Sequence, residues 1–322
     1  LGCAGLALVL GRRHAPLNSN GFVVGHVAEG VSSAMEFDEQ GLQVTVSSPV
    51  VFVTGASRGI GAATAIAFAK AGWRVAIAAR TLHQQQTQNH QLRYADGQLL
   101  RGSLTDTAQA IEACGAQVLM QSMDLMDAKS MDAAIETTLQ HFGRIDVLIN
   151  NAVYQDREVN AMLLDLDDEA LQRSLVGNVV APFHLVKKVL PHMIAQGGGK
   201  IINVGSGAGQ YDPPMAANQG GWGFAYGASK AGMGRLAGCI NREWGHKGIL
   251  AFSVNPGFVN TEAAQATLGL DAELSKKYGA TTPEAIAASL LWLVSDASAA
   301  ELTQKPNLID LQALIKTKAL AY

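Results

Sequence analysis

A short apolar run, Val50-Val51-Phe52-Val53, passes directly into Thr54-Gly55-Ala56-Ser57-Arg58-Gly59-Ile60-Gly61 and then into a small-residue segment from Ala62 to Ala71. A β-branched apolar run of that length reads as a strand buried on both faces, and the segment after it as a helix ending near Gly72. Strand, glycine-rich turn and helix in this order leave backbone N–H groups and a helix N-terminus facing outward. A diphosphate can approach there without meeting side chains. The spacing is Gly-x-x-x-Gly-x-Gly, not the commoner Gly-x-Gly-x-x-Gly. A glycine-rich turn alone can be no more than a tight turn; its place between this strand and this helix makes it a phosphate site.

The same alternation repeats down the chain. Strands are expected at Arg74 to Ala79, Gln117 to Gln121, Ile145 to Ile149, Lys200 to Val204 and Leu250 to Val254, with a faint last one in Asn307 to Leu311. Helices are expected from Ser103 to Cys114, over residues 127–142, from near Asp167 through Asn178 to about residue 193, and at Tyr226. Strands alternating with helices predict an α/β chain: one doubly wound parallel sheet with helices on both faces. The expected organisation is an N-terminal extension over residues 1–48, poorly ordered, a nucleotide-binding domain over 49–302, and a C-terminal tail over 303–322 holding the last strand.

Composition narrows the partners. A net charge of −3 offers no basic stripe for nucleic acid. Three widely spaced cysteines, Cys3, Cys114 and Cys239, suggest neither a disulfide framework nor a metal site. The apolar run from Leu1 to Leu10 is shorter than the roughly 20 residues a membrane span needs. It has the length of a signal-peptide core, but no basic region precedes it. A cytoplasmic protein with no membrane partner is the expectation, with a targeting or anchoring remnant as the alternative.

Three further sites carry chemistry. The second expected strand closes on Ala79-Arg80 with no carboxylate, where an acidic residue would mark NAD and an arginine suits a 2′-phosphate. Arg58 in the glycine turn adds a second guanidinium, so NADP(H) is expected over NAD(H), unless both arginines are merely solvated. Ser206 follows the strand Lys200 to Val204 in a glycine-flanked turn and is either a turn former or a ligand. Tyr226 and Lys230 stand four apart, one above the other on a helix face. An ammonium there pulls the phenol below its usual value of about 10 and fits it for acid–base work on a carbonyl or alcohol. The same spacing also occurs on solvated faces with no chemistry.

Thr54 to Gly61, Asp124, Asn150-Asn151-Ala152, Asn178, Ser206, Tyr226 with Lys230, and Pro256-Gly257 with Thr261 follow one another in the order of the short-chain dehydrogenase/reductase family, which the chain resembles from about residue 49 to 300. The resemblance implies a single Rossmann-like domain binding NAD(P)(H) and moving a hydride to or from carbon. It implies a catalytic set of Asn178, Ser206, Tyr226 and Lys230. Tyr226 exchanges the proton, Ser206 steadies the reacting oxygen, Lys230 holds the nicotinamide ribose, and Asn178 fixes a water. Cofactor contacts implied alike are Thr54, Gly55, Ser57, Arg58, Gly59, Ile60, Gly61 and Arg80. With them come Asp124 and Leu125 near the adenine, Asn150, Asn151 and Ala152 on the adenosine side, and Pro256, Gly257, Val259 and Thr261 toward the nicotinamide. A homodimer or homotetramer through the two long helices is implied as well.

The family's Asn-Asn-Ala-Gly reads Asn-Asn-Ala-Val153 here, and the stretches after Arg80 and between Ser206 and Tyr226 are long. Gly257 to Ala280 is expected to act as a mobile lid. Trp222, Phe224, Tyr211 and Met215 are either core or the wall of a pocket for a ketone, aldehyde or secondary alcohol with a hydrophobic body. The alternative is a catalytically silent NADP(H)-binding regulator or scaffold. Four helical glycines, Gly227, Gly232, Gly234 and Gly238, predict close packing against the sheet, the cofactor or another subunit.

Overall fold

The computed structural model describes residues 35–37, 43–45, 48–84, 86, 93–94, 96–155, 158–268, 272–277, 279–304 and 308–320. The chain divides into two compact units, Leu1–Ser48 and Pro49–Tyr322. In the first, β1 (Met35–Phe37) pairs antiparallel with β2 (Gln43–Thr45), where the sequence gives no sustained period. The run Leu1 to Leu10 lies outside the described residues.

The second unit is built on a seven-stranded parallel sheet. Its strands in chain order are β3 (Val50–Thr54), β4 (Arg74–Ala79), β5 (Val118–Ser122), β6 (Val147–Asn150), β7 (Gly199–Val204), β8 (Ile249–Asn255) and β9 (Ile309–Asp310). Their order across the sheet is β5-β4-β3-β6-β7-β8-β9, all parallel. The faint seventh strand is therefore real but only two residues long, and its side chains are not fully covered. All five residues of β3 are buried, as its unbroken apolar run requires.

Helices cover both faces. On one lie α1 (Gly59–Lys70), α2 (Leu104–Glu112), α9 (Pro283–Ser295) and α10 (Leu311–Lys318). They bury Phe68, Ile111, Leu290 and Leu311 against Val51, Val53 and Ile77. On the other, α3 (Ala128–Phe142), α5 (Ala181–Ala195) and α6 (Phe224–Trp244) bury Ile135, Leu185 and Ile240 against Phe52, Leu148 and Ile201. Successive strands move outward from β3 to β5, then restart on its other side at β6. That reversal opens a crevice at the carboxyl ends of β3 and β6, where such sheets take their ligands.

The helix expected from near Asp167 to residue 193 is three pieces: α4 (Asp168–Leu175), a π turn (Val176–Val180) and α5. Two short helices, α7 (Glu262–Leu268) and α8 (Ala272–Lys277), lie in the segment expected to form a lid. Among the described residues no single helix is long and apolar enough to cross a membrane.

Candidate active site

The glycine turn is fixed by its neighbours before any ligand arrives. Thr54 Oγ1 donates to Ile149 O at 3.1 Å and accepts from the backbone N–H groups of Asn151 and Ala152 at 3.0 and 2.9 Å. Asn151 returns its amide to Thr54 O at 2.9 Å. The two loops at the switch point are thus one hydrogen-bonded unit. Gly55 sits at φ +67°, and a side chain on Gly61 would come within 2.3 Å of Gly55 O. Neither position tolerates a Cβ. Helix α1 begins with no side-chain cap and no acidic residue in its first turn. Its first N–H groups are therefore available to an anion. These features fit the diphosphate of a dinucleotide.

Arg58 leads into α1 and donates from Nη2 to Gly102 O at 3.2 Å, while its Nε is buried with no hydrogen-bond partner among the described residues. Burial is the largest influence on its guanidinium and lowers its pKa; Glu262 and Tyr94 oppose this, and Arg80 adds to it. Arg58 and Arg80 are therefore near enough to repel, a pairing that an anion between them would relieve. The segment after Arg80 folds back on the turn: Thr107 Oγ1 donates to Ala56 O at 2.8 Å, and Leu104 N to Thr81 O at 3.0 Å. Beside the end of β4 it encloses a cavity of ≈350 Å³ lined in part by Thr81, Gln84, Gln98 and Arg101.

The candidate reacting groups gather past β7. Ser206 caps a short turn and accepts from Ala208 N at 3.2 Å. Its side chain stands close enough to Tyr226 to favour the charged phenol. Asn255 holds this loop in place, its Oδ1 accepting from both Gly207 N and Gly257 N at 3.1 Å. Lys230 is 5% exposed and donates to Val204 O at 3.1 Å, with its ammonium 5.9 Å from the centre of the Tyr226 ring.

The electrostatics correct one expectation from the sequence. Tyr226 is half-buried, and desolvation by burial pushes its pKa up; Ser206 opposes the rise. Burial likewise brings Lys230 down to about 8. Enclosure penalises both charged forms, and across this separation that penalty outweighs the attraction read from i, i+4 spacing. Near pH 7 the protein therefore holds a protonated tyrosine beside a still largely protonated lysine.

Asn178 sits inside the π turn, 1% exposed. Its side chain accepts from Tyr154 N at 2.7 Å and donates to Tyr154 O at 3.0 Å and Ser229 Oγ at 3.3 Å. The amide is thus committed to bracing the loop after β6 against α6. A side chain on Gly177 would reach within 2.3 Å of Tyr154 Cβ, so the local widening brings two backbones together.

The other expected cofactor residues are more dispersed. Asn150 is 2% exposed and gives its amide to Asn203 Oδ1 at 2.9 Å, within the sheet and not toward the crevice. Asp124 turns its carboxylate onto Met126 N at 2.9 Å. Val259 is buried, and Pro256 and Gly257 lead to it with Gly257 at φ +67°. Thr261 Cγ2 lies 3.3 Å from where a Cβ on Gly59 would stand, so the start of α7 meets the glycine turn. Asn255 and Tyr154 were not legible from sequence, because each acts by holding a neighbouring loop. Of the helical glycines, Gly227 and Gly232 pack closely against Ala208 O and Val179, while Gly238 faces open space.

A doubly wound sheet with a glycine-turn anion site at its switch point, and a serine, tyrosine and lysine past the next strand, defines an NAD(P)-binding oxidoreductase acting on CH–OH or C=O groups. The family model for short chain dehydrogenase matches residues 49–101 and 99–269, and the chain belongs to that family. It is 31% identical over 271 residues to a 3-oxoacyl-[acyl-carrier-protein] reductase of Synechocystis sp., covering 82% of this chain and 96% of that one. To a cyclohexanol dehydrogenase of Rhodococcus sp. it is 33% identical over 263 residues, covering 77% and 90%. A carveol dehydrogenase of Mycobacterium avium, solved with NAD, shares the fold with a TM-score of 0.67 at 21% identity, over 82% of this chain and 96% of that one.

Proposed function

We propose that the chain is an NADP(H)-dependent oxidoreductase that moves a hydride between the nicotinamide and a carbonyl or secondary alcohol of hydrophobic character. The observation that carries this reading is the grouping of Ser206 and Tyr226, close enough for the serine to favour the tyrosine's charged form, with Lys230 buried 5.9 Å from the Tyr226 ring. The cofactor supplies the hydride; the protein supplies position and the proton. Tyr226, protonated near neutral pH, donates to the carbonyl oxygen in reduction and takes the hydroxyl proton in oxidation. Ser206 donates to the same oxygen where negative charge develops. Lys230 holds the ribose, and Asn178 keeps the floor of the site rigid.

The preference for NADP(H) rests on Arg58 and Arg80 with no carboxylate at the end of β4. Thr54 to Gly61 cradle the diphosphate, Asp124 and Leu125 flank the adenine, Asn151 and Ala152 shape the adenosine side with Asn150 buried behind them, and Pro256, Gly257, Val259 and Thr261 border the nicotinamide. The hydrophobic substrate reading is supported by Tyr211, Met215 and Phe224, all exposed, in the segment between Ser206 and Tyr226. A homodimer or homotetramer is supported by exposed Val176, Val180 and Phe183 along the α4–α5 run. The deciding experiment is NADPH consumption against a panel of ketones and aldehydes. No turnover with any of them, despite NADPH binding, would favour a silent binding protein instead.

A further inference from the structure

A row of buried polar side chains crosses the sheet below the reacting groups. Asn150 on β6 stands opposite Asn203 on β7, and Asn203 stands opposite Ser253 on β8. Strand alternation puts all three on the face of Leu148, Ile201 and Ala251, which α5 and α6 cover. They are 2%, 0% and 7% exposed. Asn150 Nδ2 donates to Asn203 Oδ1 at 2.9 Å, but the reciprocal bond is not made. Asn150 Oδ1, Asn203 Nδ2 and Ser253 Oγ have no hydrogen-bond partner among the described residues. A bare acceptor, a bare donor and a hydroxyl therefore share one stretch of core. Protein interiors seldom leave such groups unmade.

The row adjoins the lysine. Val204, whose carbonyl oxygen accepts from Lys230, is the next residue along β7 from Asn203. An ammonium carries three donors, and the Asn178 amide is already engaged with Tyr154, Ser174 and Ser229.

We propose that Asn150, Asn203 and Ser253 form a buried water site beneath Lys230 and are positioning residues for its ammonium. One water satisfies every group in the row. It accepts from Asn203 Nδ2 and from the Lys230 ammonium, and donates to Asn150 Oδ1 and Ser253 Oγ. Two to four protein partners is the usual number for a buried water. The water solvates the one charge that this part of the core must hold and keeps it pointed at the site. Burial alone accounts for the shift of Lys230. On its own helix Tyr226 lies one turn away, its ring centre 5.9 Å from the ammonium, while Arg235, Cys239, Arg242 and Glu243 lie farther along. From the elements packed against it, β7, β8 and the π turn contribute Asn203, Ser253 and Asn178, none of them charged.

The functional half of this inference rests on the proposed roles of Tyr226 and Lys230; the water site does not. In alcohol oxidation the rate rises with pH as Tyr226 gives up its proton, and the lysine's charge lowers that midpoint. Ser253→Ala weakens the solvation of the ammonium, so the midpoint should move upward by about half a pH unit or more, with kcat at pH 7 about 3- to 10-fold lower. Asn203→Leu should move it further. A crystal structure of the full chain at high resolution should show a water within hydrogen-bond distance of all three side chains. Absence of that water overturns the proposal, whatever the profiles do. A water with superimposable pH profiles for Ser253→Ala and wild type overturns the positioning role. Should Asn203→Leu fail to fold, the Ser253→Ala profile and the crystallographic water still decide. If Tyr226→Phe turns over like wild type, the tyrosine assignment fails, and the water alone then decides the site.

Discussion

Lys230 donates its ammonium to the carbonyl oxygen of Val204 at 3.1 Å, inside a core that covers 95% of the residue and offers it no carboxylate. Burying this charge costs stability. Its folded pKa of about 8 lies below the ordinary 10.5. The unfolded chain therefore binds more protons between those values, and stability should rise with pH from 8 to 10.5. Lys230→Met should abolish turnover yet stabilise the fold at pH 7 by up to about 3 kcal/mol. The gain should shrink toward zero as pH approaches 10.5. Thermal unfolding of both proteins across that range checks it; a mutant less stable than wild type at pH 7 contradicts it.

Tyr226→Phe removes only the hydroxyl, whose charged form Ser206 favours. Turnover should fall by about 10²- to 10⁴-fold, the usual contribution of a positioned acid or base. NADPH affinity, measured by fluorescence titration, should stay within about threefold, because the ring and its helix remain. Comparable loss of binding and turnover would mean that the tyrosine serves the fold.

Arg80→Ala should raise the KM for NADPH by about 10- to 100-fold, the value of a hydrogen-bonded charge contact with a phosphate, and leave the KM for NADH nearly unchanged. Arg58→Ala should act in the same direction and also loosen the segment it ties down through Gly102. Equal effects on both cofactors would remove the 2′-phosphate from the argument.

Gly61→Ala places a methyl 2.3 Å from Gly55 O and 2.5 Å from the Asn151 amide. The turn must open to admit it, at about 1–3 kcal/mol. Dinucleotide affinity should drop at least tenfold and Tm should fall with it. Gly238→Ala, with open space around that position, should raise Tm slightly.

Much of this architecture is local in origin. Unbroken apolar runs such as Val50 to Val53 can only be strands covered on both faces, and their alternation with helices commits the chain to a parallel sheet. The glycine turn, Ser206 and the Tyr226–Lys230 pair are read from the same short-range patterns. What tertiary structure alone decided is where burial falls. It turned Asn150 inward to Asn203, tied the Asn178 amide to Tyr154, and raised the Tyr226 pKa where sequence spacing argued for a fall. It also brought Asn150, Asn203 and Ser253 into one row from positions far apart in the chain. Sequence spacing fixes which groups share an element, but desolvation and strand register depend on what packs against that element, and that is set only when the whole chain folds.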